Sequence, residues 1–509
     1  MAETEPSLLK EEVRAIYAKF VLADGGKLLD VSKPMAVYDS YELSFPTRSI
    51  NFFLSHSWKT VAWLKYFGLR VVLYFWPSVL LGAAVSLLMT VLEFSEVLPL
   101  PIVSVVFPFG EGTLGFSMGF GWWLGVVVFV LVFFNGERFF GNTSCFLDRA
   151  CIHQEDIVLK ARGVAALHDM LVQSDKMVIM WQREYFTRLW CVFELAIYMK
   201  YKGTENIILL PLNHCIFTLF MMALHIIAAM GFGVMGPFVM FSPWLNDIVM
   251  DKFPTVAGHI CASFSVSWVV FFVLYMISAP FVFHFFAMSI DDRRTLEKQI
   301  AEFTTNACEC MDENDRPIVY KMIEHYFGTV SNFDAIVQKD MKKITSSILG
   351  ANIMRYRTML VMEFGHMLLT PELFVRARTT DPAMNLHVIC GFLSMIFVTD
   401  MLAMSAIQFV VRLMHDSRNS FILATKWWLG PVVLSMIFAT FTTSSLMILH
   451  PESPLKCVMP VCAVGLLLTY YIYRPQTLEE GGVSTPLDTP PKTESSLDTK
   501  LIRRINAVL

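Results

Sequence analysis

The chain has 509 residues, of which 55% are hydrophobic and 17% charged, with a net charge of −4 and a mean hydropathy of +0.54. Such apolarity excludes an ordinary soluble globular protein, and the slight acidity removes the basic field that a nucleic-acid partner needs. The first partner to expect is therefore a lipid bilayer, not nucleic acid.

In chain order, 1–49 reads as an N-terminal cytosolic segment with a helical patch from Leu8 to Val21. Its acidic start lacks the basic-then-apolar order of a cleaved signal. Ile50 to Leu54 is a short apolar run of the buried-strand type, ending in Ser55-His56-Ser57-Trp58. Small and polar residues just beyond a strand are where open α/β sheets hold ligands.

A hairpin of two spans, within 69–135, is expected next. Leu69–Leu92 and Leu114–Phe134 are each long enough to cross a bilayer, separated by a Pro-rich loop. Thr143 to Leu147 then reads as a second strand, Asp156 to Gln173 as an amphipathic helix weakened by Gly163, and Lys176 to Trp181 as a third strand. A helix follows over Tyr185 to Tyr198, with Thr187 as its N-cap, and Asn206 to Leu210 is a fourth strand. Strands alternating with helices predict a doubly wound parallel sheet built from 50–67 and 143–213, with the membrane hairpin inserted in its first crossover.

The segment 214–288 supplies two more spans, Ile216–Phe241 and His259–Met288. A polar, helically patterned cytosolic module follows at 289–386, then three spans within 387–473, and a Pro/Thr/Ser-rich tail at 474–509 expected to be disordered. About seven spans result. Lys and Arg concentrate in 1–70, 136–213 and 288–386, whereas 93–114 has neither and 242–258 only Lys252, which places the basic segments in the cytosol by the positive-inside rule. The chain reads as an integral, multi-pass membrane protein.

The densest polar chemistry sits on the helix carrying Trp190, Cys191 and Glu194, which share one broad face with Leu195. Glu194 is a candidate catalytic carboxylate or a packing group hydrogen-bonded to the first strand. Cys191 is a candidate nucleophile or a buried thiol, and His56 a base or a capping histidine. Within the expected spans, Asp400, His225 and Gln408 form either a polar path for ions or an interhelical hydrogen-bond network. The cysteines include no metal-type pairing. Cys308-Glu309-Cys310 is the nearest approach, with His325 too distant to complete a zinc pattern.

Four boxes, in order, carry a family resemblance. Phe53-Leu-Ser-His-Ser-Trp58 resembles the first-strand box of TIR (Toll/interleukin-1 receptor/resistance) domains, and Cys145-Phe-Leu-Asp-Arg149 their second strand and following loop. Ser174 to Trp181 is similar to the third strand, and Trp190-Cys191-x-x-Glu194-Leu195 to the Trp-Cys-x-x-Glu-Leu of plant-type TIR helices. The union of such boxes with several spans is similar to multi-pass proteins of protists and algae.

The resemblance implies a flavodoxin-like α/β domain joined to an all-α membrane bundle, and homo-oligomers formed through TIR–TIR contacts. In some members it also implies cleavage of NAD, with the glutamate at the position of Glu194 catalytic. NAD is then the candidate substrate, and His56, Ser57, Trp58, Asp148, Trp190 and Cys191 surround it. Loss of nicotinamide leaves an oxocarbenium-like centre that one carboxylate could stabilise. The loop Arg149 to Asp156 departs from the Gly-containing loop of the enzymatic plant type. Three functions follow: a signalling scaffold, a membrane-tethered NAD glycohydrolase, and a channel or transporter regulated by the TIR-like domain.

Overall fold

Apolar runs too short for helices, each bounded by small or polar residues, pair into a mixed six-stranded sheet. The computed structural model describes residues 13–31, 37–95, 97–98, 104–109, 112–117, 120–241, 251, 256–349 and 400–417, with isolated positions in 358–368, in 422–433 and at 467. Strands form at Arg14–Tyr17 (β1), Phe45–Pro46 (β2), Ile50–His56 (β3), Ser104–Phe109 (β4), Gly112–Ser117 (β5), Ser144–Phe146 (β6), Ser174–Trp181 (β7) and Ile207–Pro211 (β8). The sheet runs β2-β1-β6-β3-β7-β8. Its parallel part, β6-β3-β7-β8, contains the four strands legible in the sequence.

These parallel strands are buried on both faces, as their near-continuous apolar composition requires: every residue of β8 and the last five of β7 are buried. Phe53 opposes Phe146 in register, and their rings stack at 4.3 Å. Beyond β6 the sheet is extended by β1, which pairs antiparallel with β6 and β2. Arg14 to Tyr17 is thus a strand, not part of a helical patch. Its Val-Arg-Ala-Ile-Tyr lead is β-prone but too short to display a period, and an edge of β6 was left to be paired.

Leaving β3, the chain enters a 33-residue helix, Ala62–Phe94 (α1), and returns along Phe120–Phe139 (α2). Between them β4 and β5 pair antiparallel from Ser104↔Ser117 to Phe109↔Gly112. The second span therefore begins after β5, later than the Leu114 expected, because 112–117 has a partner strand. Arg70 fastens the helices together: it is buried, donates to the Phe133 carbonyl at 2.7 Å, and meets both carboxylate oxygens of Glu137.

The helix expected over Asp156 to Gln173 is two helices, Ile157–Ala165 (α3) and Leu167–Val172 (α4), meeting at Ala166. Asp156 caps α3 by accepting from the Val158 and Leu159 amides. The helix of the Trp-Cys motif is Leu189–Lys202 (α5), entered through Arg188. Thr187 is not its N-cap; its hydroxyl donates to the Glu184 carbonyl within the preceding turn.

Leu212–Phe241 (α6) follows β8 without a linker, and Val256–Ala301 (α7) runs 46 residues through the boundary expected at 289. Arg316–Phe327 (α8) and Val330–Leu349 (α9) complete the polar module, and Asp400–Asp416 (α10) is described further on. The module shares one apolar core with the sheet: Leu296, Phe303, Ile323 and Phe333 pack in the same cluster as Phe53, Met177 and Leu195.

Among the described residues, three helices are long and apolar enough to cross a membrane: Ala62–Glu93, Phe120–Phe139 and Leu212–Gly231. They stand in place of the about seven spans expected. Of the other expected spans, His259–Met288 lies within α7 and His387–Leu413 is described only from Asp400. Apart from isolated positions, Trp427–Leu449 and Val458–Tyr473 lie outside the described residues, as do 1–12 and the tail 474–509.

Candidate functional site

β3 delivers Ser55 and His56 at its end, β6 delivers Asp148 just beyond its own, and α5 lies across them with Cys191 and Glu194 one turn apart. The Ser55 hydroxyl donates to Glu194 Oε2 at 2.7 Å and lies 2.7 Å from the Tyr185 hydroxyl. Tyr185 in turn reaches the Cys191 carbonyl at 3.2 Å, and the Cys191 thiol donates to the His56 carbonyl at 3.4 Å. Strand, turn and helix are thereby joined by one buried polar chain. The Trp58 indole donates to Asp148 Oδ2 at 2.5 Å, Ser57 Oγ accepts from the Lys59 amide at 3.2 Å, and Thr60 donates to Glu184 at 2.8 Å.

Burial pushes the Glu194 carboxyl from its usual 4.5 up to about 8; the Ser55 bond pulls it down and the Asp148 charge adds to the rise. At neutral pH the carboxyl therefore carries its proton for much of the time. A protonated Glu194 can donate to Ser55, Ser55 to Tyr185 and Tyr185 to the Cys191 carbonyl, so that every hydrogen has an acceptor. With Glu194 ionised, Ser55 donates to the carboxylate and the single Tyr185 hydrogen serves either Ser55 or the Cys191 carbonyl.

His56 is driven from 6.5 down to about 4, first by burial and then by the nearby Lys65 ammonium, against the pull of Asp148. It is a neutral ring at physiological pH. Burial, with the Glu194 charge behind it, holds the Cys191 thiol well above the usual thiol range. That suits a packing thiol, not a thiolate nucleophile.

Lys65 is the member that sequence reasoning missed. It stands on the first turns of α1, fully buried, and its ammonium has no hydrogen-bond partner among the described residues. It interacts electrostatically with Asp148, Asp30 and Arg149. The available signal was a lone cation in the opening turn of an apolar helix, five positions before the only other cation in that helix.

A second layer comes from the module. Glu309 donates its amide to the Thr187 carbonyl at 2.7 Å and accepts from the Leu189 amide at 3.1 Å, so that this segment runs beside the entry to α5 like an added strand. The Glu309 carboxylate meets Lys59 at 2.6 Å and Arg188 at 3.3 Å, which holds it below the usual range. Trp190 turns outward to this layer, its indole donating to Asp315 at 3.2 Å. The structure thus gathers His56, Asp148, Cys191 and Glu194, with Ser57 buried next to His56 in the chain and Trp58 half-buried on Asp148. Trp190 belongs to the contact with the module, and both indole N–H groups are taken by carboxylates.

Of the intramembrane candidates, His225 is buried in α6, with Nδ1 2.7 Å from the Met362 carbonyl and 3.4 Å from Glu363. Gln408 is buried on α10; the side chain of Asp400 lies outside the described residues. No group of His, Cys, Asp and Glu among the described residues has metal-holding geometry. Set against known proteins, the chain matches no family model, no curated protein and no solved structure.

Proposed function

We propose that the chain is a multi-pass membrane signalling or scaffold protein that self-associates through a cytosolic TIR-like domain. The observation that carries this reading is the 2.7 Å bond from Ser55 to Glu194. It joins the first-strand box to the Trp-Cys-x-x-Glu helix and spends the carboxylate on the fold. The parallel order β6-β3-β7-β8 supports the same reading. In chain order those strands run second, first, third, fourth, which is how a flavodoxin-like sheet begins.

Self-association needs an open apolar surface, and α3 offers Ile157 at 82% and Val158 at 61% exposure. The test is the mass distribution of the full chain in neutral nanodiscs and after chemical crosslinking in vesicles. Oligomers that disappear in Ile157→Asp/Val158→Asp support the reading. A monomer at every concentration tried, in both proteins, defeats it.

The second reading, a membrane-tethered NAD glycohydrolase, is favoured by one feature: Glu194 is a half-buried residue within the reach of the Asp148 charge. Nicotinamide release from NAD, measured with the reconstituted chain and with Glu194→Ala, decides it. Release abolished by the substitution supports hydrolysis; no release, or release indifferent to it, removes the enzyme.

A further inference from the structure

At the opposite end of the strands from Glu194, the end of α2 and the starts of β3 and β7 border a cleft of about 710 Å³. Its walls carry Lys19, Arg138 and Lys176, and none of the three has a carboxylate partner among the described residues. Lys19 and Lys176 each lie over aromatic faces. Of the two acids that line it, Glu137 is committed to Arg70, which leaves Asp175 against three cations. Asn51, which also lines the cleft, gives its side-chain oxygen to the Ser144 amide and hydroxyl, and its side-chain amide N–H groups have no partner among the described residues.

The cleft opens where α2 ends, and there Phe139 is 68% exposed and Phe140 43%. Exposed aromatics beside unpaired cations at the end of an apolar helix are the composition of a membrane interface, with rings at headgroup level and charges toward anionic lipid. Convergent donors, a positive excess and this position together select one class of occupant.

We propose that this cleft binds the headgroup phosphate of an anionic phospholipid, with Lys19, Arg138 and Lys176 as its charge partners and Phe139 and Phe140 at headgroup level. The proposal rests on reading α2 as a membrane span. The occupant would tie the N-terminal edge of the sheet to the bilayer through β3 and β7, the strands that also carry the Glu194 site.

The experiment is native mass spectrometry of the full chain in phosphatidylcholine nanodiscs doped with phosphatidylserine. Each Lys or Arg near an anionic surface is worth about five-fold in lipid partitioning. The variant Lys19→Gln/Arg138→Gln/Lys176→Gln should therefore retain phosphatidylserine at least about tenfold less than the unaltered chain. Lys19→Arg/Lys176→Arg should retain it fully, which separates loss of charge from loss of fold. Equal retention in the unaltered and triple-Gln proteins overturns the proposal. So does inorganic phosphate that raises the melting midpoint in neutral nanodiscs as much as phosphatidylserine does, since the occupant is then a soluble anion. A chain that carbonate strips from vesicles defeats the span reading and the lipid site together; an inserted chain with no lipid enrichment defeats the lipid site alone.

Discussion

A side-chain carbon on Gly82 would stand 2.8 Å from the carbonyl oxygen of Gly125, and one on Gly125 equally close to that of Gly82. The helices α1 and α2 meet backbone to backbone there, the arrangement that small residues permit between apolar helices. Gly125→Leu should cost about 1–3 kcal/mol or more through overpacking. Melting of the reconstituted protein would read it, and an unchanged midpoint would contradict the close approach.

Arg70 makes a different kind of joint between the same helices. Arg70 is buried and Glu137 a quarter exposed, so losing Arg70 costs its hydrogen bonds and leaves a partly solvated carboxylate, at about 1–3 kcal/mol. Arg70→Met should therefore destabilise, whereas Arg70→Met/Glu137→Leu should recover part of the loss. If the double variant is no better than the single, the pair is not the source of the effect.

Two groups of the candidate site give the protein an asymmetric response to pH. Glu194 binds its proton more tightly in the folded state, so its contribution is fully present below about pH 4.5 and is lost as pH rises through about 8. His56 sheds its proton more readily when folded, so its contribution is present above pH 6.5 and is lost as pH falls through about 4. Between 4.5 and 6.5 the slopes oppose, and from 6.5 to 8 only the Glu194 slope remains. The unaltered chain should lose stability over that upper interval, and Glu194→Gln should be flat across it. A Glu194→Gln profile parallel to the unaltered one would refute the protonated carboxyl.

A buried ammonium without a hydrogen-bond partner opposes folding. Lys65→Met keeps the stem and removes the charge, so it should raise the melting midpoint by an amount worth about 1–3 kcal/mol. A fall instead would mean that attraction to Asp148 outweighs the desolvation of Lys65.

The four parallel strands were legible because each is an apolar run between polar boundaries, and Ile50 to Leu54 was found within two residues of its observed end. The β4–β5 pairing is not legible in the sequence because Pro108 and the glycines around it carry loop composition, and pairing depends on the partner strand more than on propensity. At the site, Glu194, Cys191 and His56 were visible as polar groups on apolar elements. Ser55 and Tyr185, which join them, were not singled out, since a serine at a strand end and a tyrosine in a turn are ordinary in sequence and acquire meaning only when the helix lies across the strand. Glu309, far along the chain, had no local signal linking it to Arg188.

The insertion of two long helices between β3 and β6 also constrains the order of synthesis. β3 leaves the ribosome before the helices and β6 after them, yet the two strands are neighbours at the centre of the sheet. If α1 and α2 cross a bilayer, β6 reaches β3 only when both have crossed in opposite directions. A chain in which one helix fails to insert leaves the two strands on opposite sides of the membrane, with Phe53 and Phe146 unpaired. With both helices across a bilayer, completion of the sheet would in that sense be a proofreading of membrane insertion, carried out by the strands themselves.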